Sequence, residues 1–280
     1  FVHFDVALEG CDLPEEPLWH VVALRWTTDE DEQCVEGHVL APSSTAALGV
    51  ISDIDDTIIE TGITGNFRAI ARNWRRILAE MPEERLHVPG VDVFYGALGG
   101  GAVLQKTNEQ GKAVPTLTHR PFFYVSSSPW NLFSYLVAFK KSRNLPLGPI
   151  MLRDWGFNRA TLGSAGHGAH KRDAIETILA AYPEMRFALI GDDTQGDLVA
   201  FGDIVSQHPQ RIAAVFIRKA GEEFSPEEVL AEVAIKSAGV PLWLGDDYTK
   251  GQEFLKATGL ASDGDAAQIV KTIEESQKAA

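Results

Sequence analysis

The sequence predicts an α/β protein: a doubly wound parallel sheet with a small insertion after its first strand, preceded by a short β-rich N-terminal segment. Three observations predict this. Apolar runs of strand length recur from residue 48 onward, helical patterns separate most of them, and the runs are apolar at consecutive positions rather than alternate ones. Strands buried on both faces read that way, as in a parallel sheet covered by helices on each side.

The elements follow in order. Residues 1–42 form a β-rich accessory segment with three strand-like stretches, "FVHFDVAL", "WHVVALRW" and "CVEGHVL". The turn-like "EGCDLPEEP" and the acidic "TTDEDEQ" separate them, and "DEDE" reads as a solvated loop. "APSSTAA" is a linker, and residues 43–280 form the main domain. Its strands are expected at Leu48–Ser52, Phe122–Val125, Ile150–Leu152, Phe187–Ile190, Ile212–Ile217 and Leu242–Leu244. Ser128-Pro129 predicts a helix start, a cap residue followed by proline in the first turn. Ser225-Pro226-Glu227-Glu228 repeats that signal with acids added. The helix in "KRDAIETILAAY" stops before Pro183. One span, about residues 60–118, is longer than a crossover needs and reads as a cap-type insertion. Its expected place is over the carboxyl ends of the strands, where open α/β sheets bind ligands.

Composition narrows the function. Asp and Glu number 39 against 25 Lys and Arg, a net charge of -14, which makes the chain a poor general binder of nucleic acid. Cys11 and Cys34 form no CxxC pair and read as separate thiols in a reducing cytosol, a pairing across neighbouring strands being the alternative. No apolar run approaches the ~20 residues that span a bilayer, so no transmembrane segment is expected. No signal peptide is visible, although a start at Phe1 rather than Met leaves room for a longer parent. The expected location is cytoplasmic, with a peripheral membrane contact as an added reading.

The chemistry is concentrated where apolar runs end. "GVISDIDDTIIE" closes the first strand of the main domain with Asp53, Asp55 and Asp56, and "FALIGDDTQGDLVAF" closes another with Asp192, Asp193 and Asp197. Carboxylates crowded at strand ends repel unless a cation joins them, and oxygen ligands point to Mg²⁺. "FFYVSSSPWN" delivers Ser126 to the same crevice, with Ser127 and Ser128 leading toward a helix start suited to an anion. Lys171 in "HGAHKRDAI" stands just before or at the start of a helix, a cation able to steady Asp53 and a bound phosphate.

"DIDDT", "YVSSS", "HK" and "IGDDTQGD", in this order, resemble the four motifs of the haloacid dehalogenase (HAD) superfamily. The longer phrases "GVISDIDDTI", "FFYVSSSPWNLF", "LRDWG" and "LIGDDTQGD" are similar to one branch of it, the actin-patch-associated phosphatidate phosphatase family and its bacterial relatives. The match runs over roughly residues 38–245. The resemblance implies a HAD-like Rossmannoid sheet and a Mg²⁺-dependent phosphomonoester hydrolase acting through an aspartyl-phosphate, with phosphatidate or a related lipid phosphate as substrate. Asp53 becomes the nucleophile, Asp55 the acid and then the base, and Thr57 a brace for the loop. Ser126 and Lys171 hold the phosphoryl group. Asp53, the Asp55 backbone carbonyl and Asp192 hold Mg²⁺, with Asp197 acting through water or behind the ligands. Asp193 stands where many relatives have a small residue, so it competes with Asp192 for the metal. Ser127, Arg153 and His170 are placed as substrate contacts, and Arg153 pairing with Asp154 is the structural alternative. Asp56 is left to shape the loop toward Thr57.

In "FRAIARNWRRILAEM", Phe67, Ile70, Trp74, Ile77 and Leu78 share a helical face, while Arg68, Arg72, Arg75 and Arg76 lie largely off it. The basic helix 67–78 is either a lid packed on the domain or a contact with an anionic membrane. Two other functions stay open: a phosphatase for a soluble or protein-borne phosphomonoester, and a receiver-like phospho-aspartate module. Receiver modules are usually shorter and place the phosphorylated Asp on a later strand than the acidic pair.

Overall fold

The computed structural model describes residues 12–27, 31–55, 57–58, 88, 90–103, 117–153, 165–220 and 223–261. At the N-terminal end, β1 (Leu18–Thr27) and β2 (Glu32–Ala41) form an antiparallel ribbon with Leu18 opposite Ala41 and Thr27 opposite Glu32. The strand expected in residues 1–8 lies outside the described residues. Residues 42–47 lead to β3 (Leu48–Ser52), with Ser43 Oγ donating to the Glu15 carbonyl at 2.6 Å.

Continuing along the chain, α1 (Val91–Leu98) precedes a short antiparallel pair, β4 (Ala102–Val103) and β5 (Leu117–Thr118). Then come β6 (Phe122–Pro129), α2 (Phe133–Ser142), β7 (Ile150–Arg153) and α3 (Ala165–Ala181). The last part holds β8 (Arg186–Asp192), α4 (Asp197–Gln207), β9 (Ile212–Arg218), α5 (Pro226–Ser237), β10 (Leu242–Gly245) and α6 (Tyr248–Ala257).

All six expected strands of the main domain are present and form one parallel sheet in the order β10-β9-β8-β3-β6-β7. β3 is central. The chain builds outward through β6 and β7, then returns to β8 on the other side of β3. The carboxyl ends of β3 and β8 therefore flank the switch point where a doubly wound sheet opens a ligand crevice.

Consecutive apolar residues feed the two faces in turn. Val50, Phe122, Tyr124, Ala188, Ile190 and Phe216 pack with α1, α2 and α6. Ile51, Phe123, Val125, Leu189, Val215 and Ile217 pack with α3, α4 and α5. This explains why the strands lack polar alternation. On the first face, Phe94 sits 4.9 Å from the Tyr248 ring and 5.2 Å from that of Phe216.

Two expectations are revised. The helix predicted from Ser128-Pro129 starts later: β6 extends through Pro129, a 3₁₀ turn covers Trp130–Leu132, and α2 begins at Phe133. Pairing of Pro129 with Arg153 across a register shift holds the chain extended there. Lys171 lies inside α3 rather than at its start, the helix running through Gly166 and Gly168. Within the span read as an insertion, α1 is buried in the core, and most of the remainder lies outside the described residues. The basic helix 67–78 falls outside the described residues, as do Asp56 and Asp154.

Candidate active site

The site grows out of two neighbouring strand ends. The Asp53 amide donates to the Ile190 carbonyl at 2.8 Å, carrying β3–β8 pairing one residue past the strand. Two residues on, the Asp55 carboxylate accepts from Ser126 Oγ at 2.7 Å and from Ser128 Oγ at 3.0 Å. Ser126 Oγ in turn accepts the Ser128 amide at 2.9 Å, so the "SSS" run of β6 is folded around Asp55. Thr57 Oγ1 donates to Asp192 Oδ2 at 3.2 Å, and Tyr248 donates to the Thr57 carbonyl at 3.2 Å. Just before Asp53, Ser52 Oγ donates to the Asp53 carbonyl at 2.6 Å and meets the Tyr95 hydroxyl at 2.7 Å.

On β8, Asp192 Oδ1 accepts from both the amide and the hydroxyl of Thr194 at 2.5 Å. Asp197, the first residue of α4, reaches back so that Oδ2 accepts the Asp192 amide at 3.1 Å. This fold-back depends on Gly191, because a Cβ there would meet Asp197 Oδ2 at 2.6 Å. It also depends on Gly196, whose φ of +78° turns the chain into α4 in the left-handed region. Lys171 enters from α3: its Nζ lies 2.8 Å from Asp53 Oδ1 and bonds Asp197 Oδ1 closely. Asp193 goes elsewhere, accepting the Ala220 amide at 2.7 Å beyond the end of β9. Of the two adjacent acids, Asp192 is therefore the one that faces the crevice.

Asp53, Asp192 and Asp197 are all buried, and their nearest carboxylate oxygens lie within 4.8 Å of one another. At an effective dielectric of ~20, each like pair at that distance costs about 3 kcal/mol. The titration follows. Burial pushes Asp53 well above the usual carboxylate range; Lys171 opposes this, while Asp197, Asp55 and Asp192 add to it. Burial and then Asp197 push Asp192 up to about 7, against Lys171 and the Thr194 hydrogen bonds. Burial alone would depress Lys171, but Asp197, Asp53 and Asp192 overcome it and hold the ammonium above the usual lysine range.

These residues fit a divalent cation. Three buried carboxylates face one ammonium, and neither Asp53 oxygen takes a well-directed hydrogen bond among the described residues. Oxygen ligands about 2.1 Å from Mg²⁺ stand at most ~4.2 Å apart, so a contraction of a few tenths of an ångström would bring Asp53 and Asp192 onto one ion. The Asp55 carboxylate lies outside this trio.

The expected substrate contacts line the β6–β7 side. Ser127 and Arg153 are buried. His170 hydrogen-bonds the Ser126 backbone and is held below the usual histidine range by burial, with Arg153 and Lys171 adding to this. Sequence reasoning left several residues without a role. Ser128, a helix cap by its sequence context, contacts Asp55. Thr194 carried a weak signal as the residue after "DD". Ser52, Tyr95 and Tyr248 carried none, because they reach the site from three separate elements.

A family model described as the catalytic domain of phosphatidate phosphatase APP1 matches residues 48–219. The chain belongs to this family. The matched span holds every residue of the site from Asp53 to Asp197, and the sheet is the HAD-like Rossmannoid sheet expected of the APP1 catalytic-domain family. Phosphatidate phosphatase APP1 of Saccharomyces cerevisiae is 31% identical over 212 residues, covering 71% of this chain and 32% of that protein. An uncharacterized protein of Schizosaccharomyces pombe is 26% identical over 196 residues, covering 69% of this chain and 28% of its own length. The chain thus spans about a third of the curated relatives it matches. No solved structure matches it significantly.

Proposed function

We propose that this protein is a Mg²⁺-dependent phosphomonoester hydrolase that works through an aspartyl-phosphate on Asp53, with phosphatidate or a closely related lipid phosphate as substrate. The observation that carries the reading is the placement of Asp53: a buried carboxylate at the switch point, 2.8 Å from Lys171 and clustered with Asp192 and Asp197. The similarity to the yeast phosphatidate phosphatase supports the substrate.

Asp53 and Asp192, with the Asp55 carbonyl, would hold Mg²⁺, which supplies charge neutralisation for the clustered carboxylates and the phosphate. Asp197 is committed on both oxygens, to Lys171 and to the Asp192 amide, so its part is to orient them. An Asp53 oxygen attacks phosphorus, the ester oxygen leaves, and Asp55 donates the proton that makes it an alcohol. Asp55 then takes a proton from water, whose oxygen attacks phosphorus and releases Asp53 and phosphate. Ser126 and Ser128 hold Asp55 for both transfers. Lys171 remains charged beside Asp53 and offsets the phosphoryl oxygens. No helix among the described residues is long and apolar enough to cross a membrane.

Phosphate release from phosphatidate vesicles and from p-nitrophenyl phosphate, by wild type and Asp53→Asn, with and without Mg²⁺, tests this. Wild type with Mg²⁺ should release phosphate and Asp53→Asn should not. Equal activity in both proteins overturns the covalent mechanism, and hydrolysis of the soluble ester alone overturns the lipid substrate.

A further inference from the structure

We propose that Ser52 and Tyr248, joined through Tyr95, are positioning residues that set Asp55 relative to Asp53 by gripping the backbone on either side of Asp55; this rests on the roles proposed above for the two aspartates. One short stretch of chain carries Asp53, Asp55 and Thr57, so the path of its backbone decides how nucleophile and acid face the same phosphate. Side-chain bonds do not fix that relation. Asp55 is tied to β6 through Ser126 and Ser128, whereas Asp53 is tied to α3 through Lys171.

Two backbone carbonyls bracket Asp55. That of Asp53 accepts from Ser52 Oγ at 2.6 Å, and that of Thr57 accepts from the Tyr248 hydroxyl at 3.2 Å. Ser52 has one hydroxyl proton and gives it to the carbonyl, so at its 2.7 Å contact with Tyr95 the tyrosine donates. Tyr95 and Tyr248 are hydrogen-bonded to one another as well. A chain of three hydroxyls therefore runs from one carbonyl to the other, and loosening one member loosens the rest.

The hydroxyls sit on a stiff frame. Ser52, Tyr95 and Tyr248 are all fully buried. The Tyr248 ring stacks on Phe94 at 4.9 Å and on Trp243 at 5.8 Å, and meets Tyr95 edge-on at 6.2 Å. Tyr95 in turn stacks on Phe122 at 5.4 Å. α1 and α6, which supply the two tyrosines, are in close contact: a Cβ on Gly251 would meet the Phe94 ring at 2.9 Å. Tyr248 also lies beyond residues 48–219, so one of the two grips comes from outside the matched catalytic span.

Ser52→Ala and Tyr248→Phe each remove one oxygen and keep the surrounding packing. The parameter to measure is kcat/KM, which covers the steps up to the aspartyl-phosphate, where Asp55 protonates the leaving oxygen. Phenyl phosphate needs that proton more than p-nitrophenyl phosphate does, because its leaving oxygen is the more basic. Each variant should lose about tenfold or more on phenyl phosphate and no more than about threefold on p-nitrophenyl phosphate, with circular dichroism unchanged. Equal losses on the two esters, which a smaller folded fraction would produce, overturn the proposal, and so does no loss on either. Should Ser52→Ala fail to fold, Tyr248→Phe makes the comparison alone. Asp53→Asn is assayed beside them. If it matches wild type on both esters, the aspartyl-phosphate reading fails and this inference with it. If it is inactive while the Ser52 and Tyr248 variants keep the wild-type ratio between the esters, the inference alone fails.

Discussion

Gly191 and Asp197 are locked together at the end of β8: a Cβ on Gly191 would stand 2.6 Å from Asp197 Oδ2 and 2.8 Å from its Cγ. Asp197 is also the residue that joins the Asp192 amide to Lys171. Gly191→Ala must move this carboxylate. Its main effect should be on catalysis, with kcat/KM down about 100-fold for a displacement near 1 Å. Stability should fall by only ~1–3 kcal/mol, the usual cost of overpacking. Steady-state kinetics beside urea unfolding separates the two effects.

Lys171 is the sole cation within ion-pair distance of Asp53 and Asp197 among the described residues. Lys171→Met leaves buried carboxylates uncompensated, a change that costs roughly 3–5 kcal/mol. Urea unfolding without metal should show a loss of that size together with loss of phosphatase activity. A loss below about 1 kcal/mol would mean that the acids are relieved in another way.

Added Mg²⁺ should raise the unfolding temperature, because only the folded chain gathers Asp53 and Asp192. At a hundred times the dissociation constant the gain is about 2.7 kcal/mol. In a chain of this size that corresponds to roughly 5–10 °C. Asp192→Asn should remove most of the shift and EDTA all of it; scanning calorimetry reads it directly.

Lys140 is buried, with its ammonium nitrogen 3.6 Å from the centre of the Tyr124 ring and no hydrogen bond among the described residues. Burial lowers its pKa well below the usual value. Between that lowered value and the unfolded lysine's ~10.4, the unfolded chain binds a proton that the folded chain does not. Stability contributed through this group therefore rises with pH across that window. Lys140→Met should stabilise the protein at pH 7 by about 1–2 kcal/mol, less the lost ring contact. The advantage should shrink as pH approaches 10, which guanidinium unfolding at pH 7, 8.5 and 10 would show. An advantage that grew with pH would reverse the assignment.

What the sequence determined by itself was whatever depends on near neighbours. The six parallel strands were legible because a strand buried on both faces must be apolar at every position, and Asp53 and Asp192 stood out because each ended such a run. The capping box at Ser225 was legible because its two bonds, Glu228 N to Ser225 Oγ at 3.3 Å and Ser225 N to Glu228 Oε2 at 2.7 Å, are made within four residues. Only the tertiary structure decided that Asp192 faces the crevice while Asp193 turns to Ala220, that Ser128 serves Asp55 rather than a helix, and that Lys171 reaches the site from inside α3. Each of those outcomes depends on which strand or helix folds beside the residue, and spacing along one chain carries no record of that.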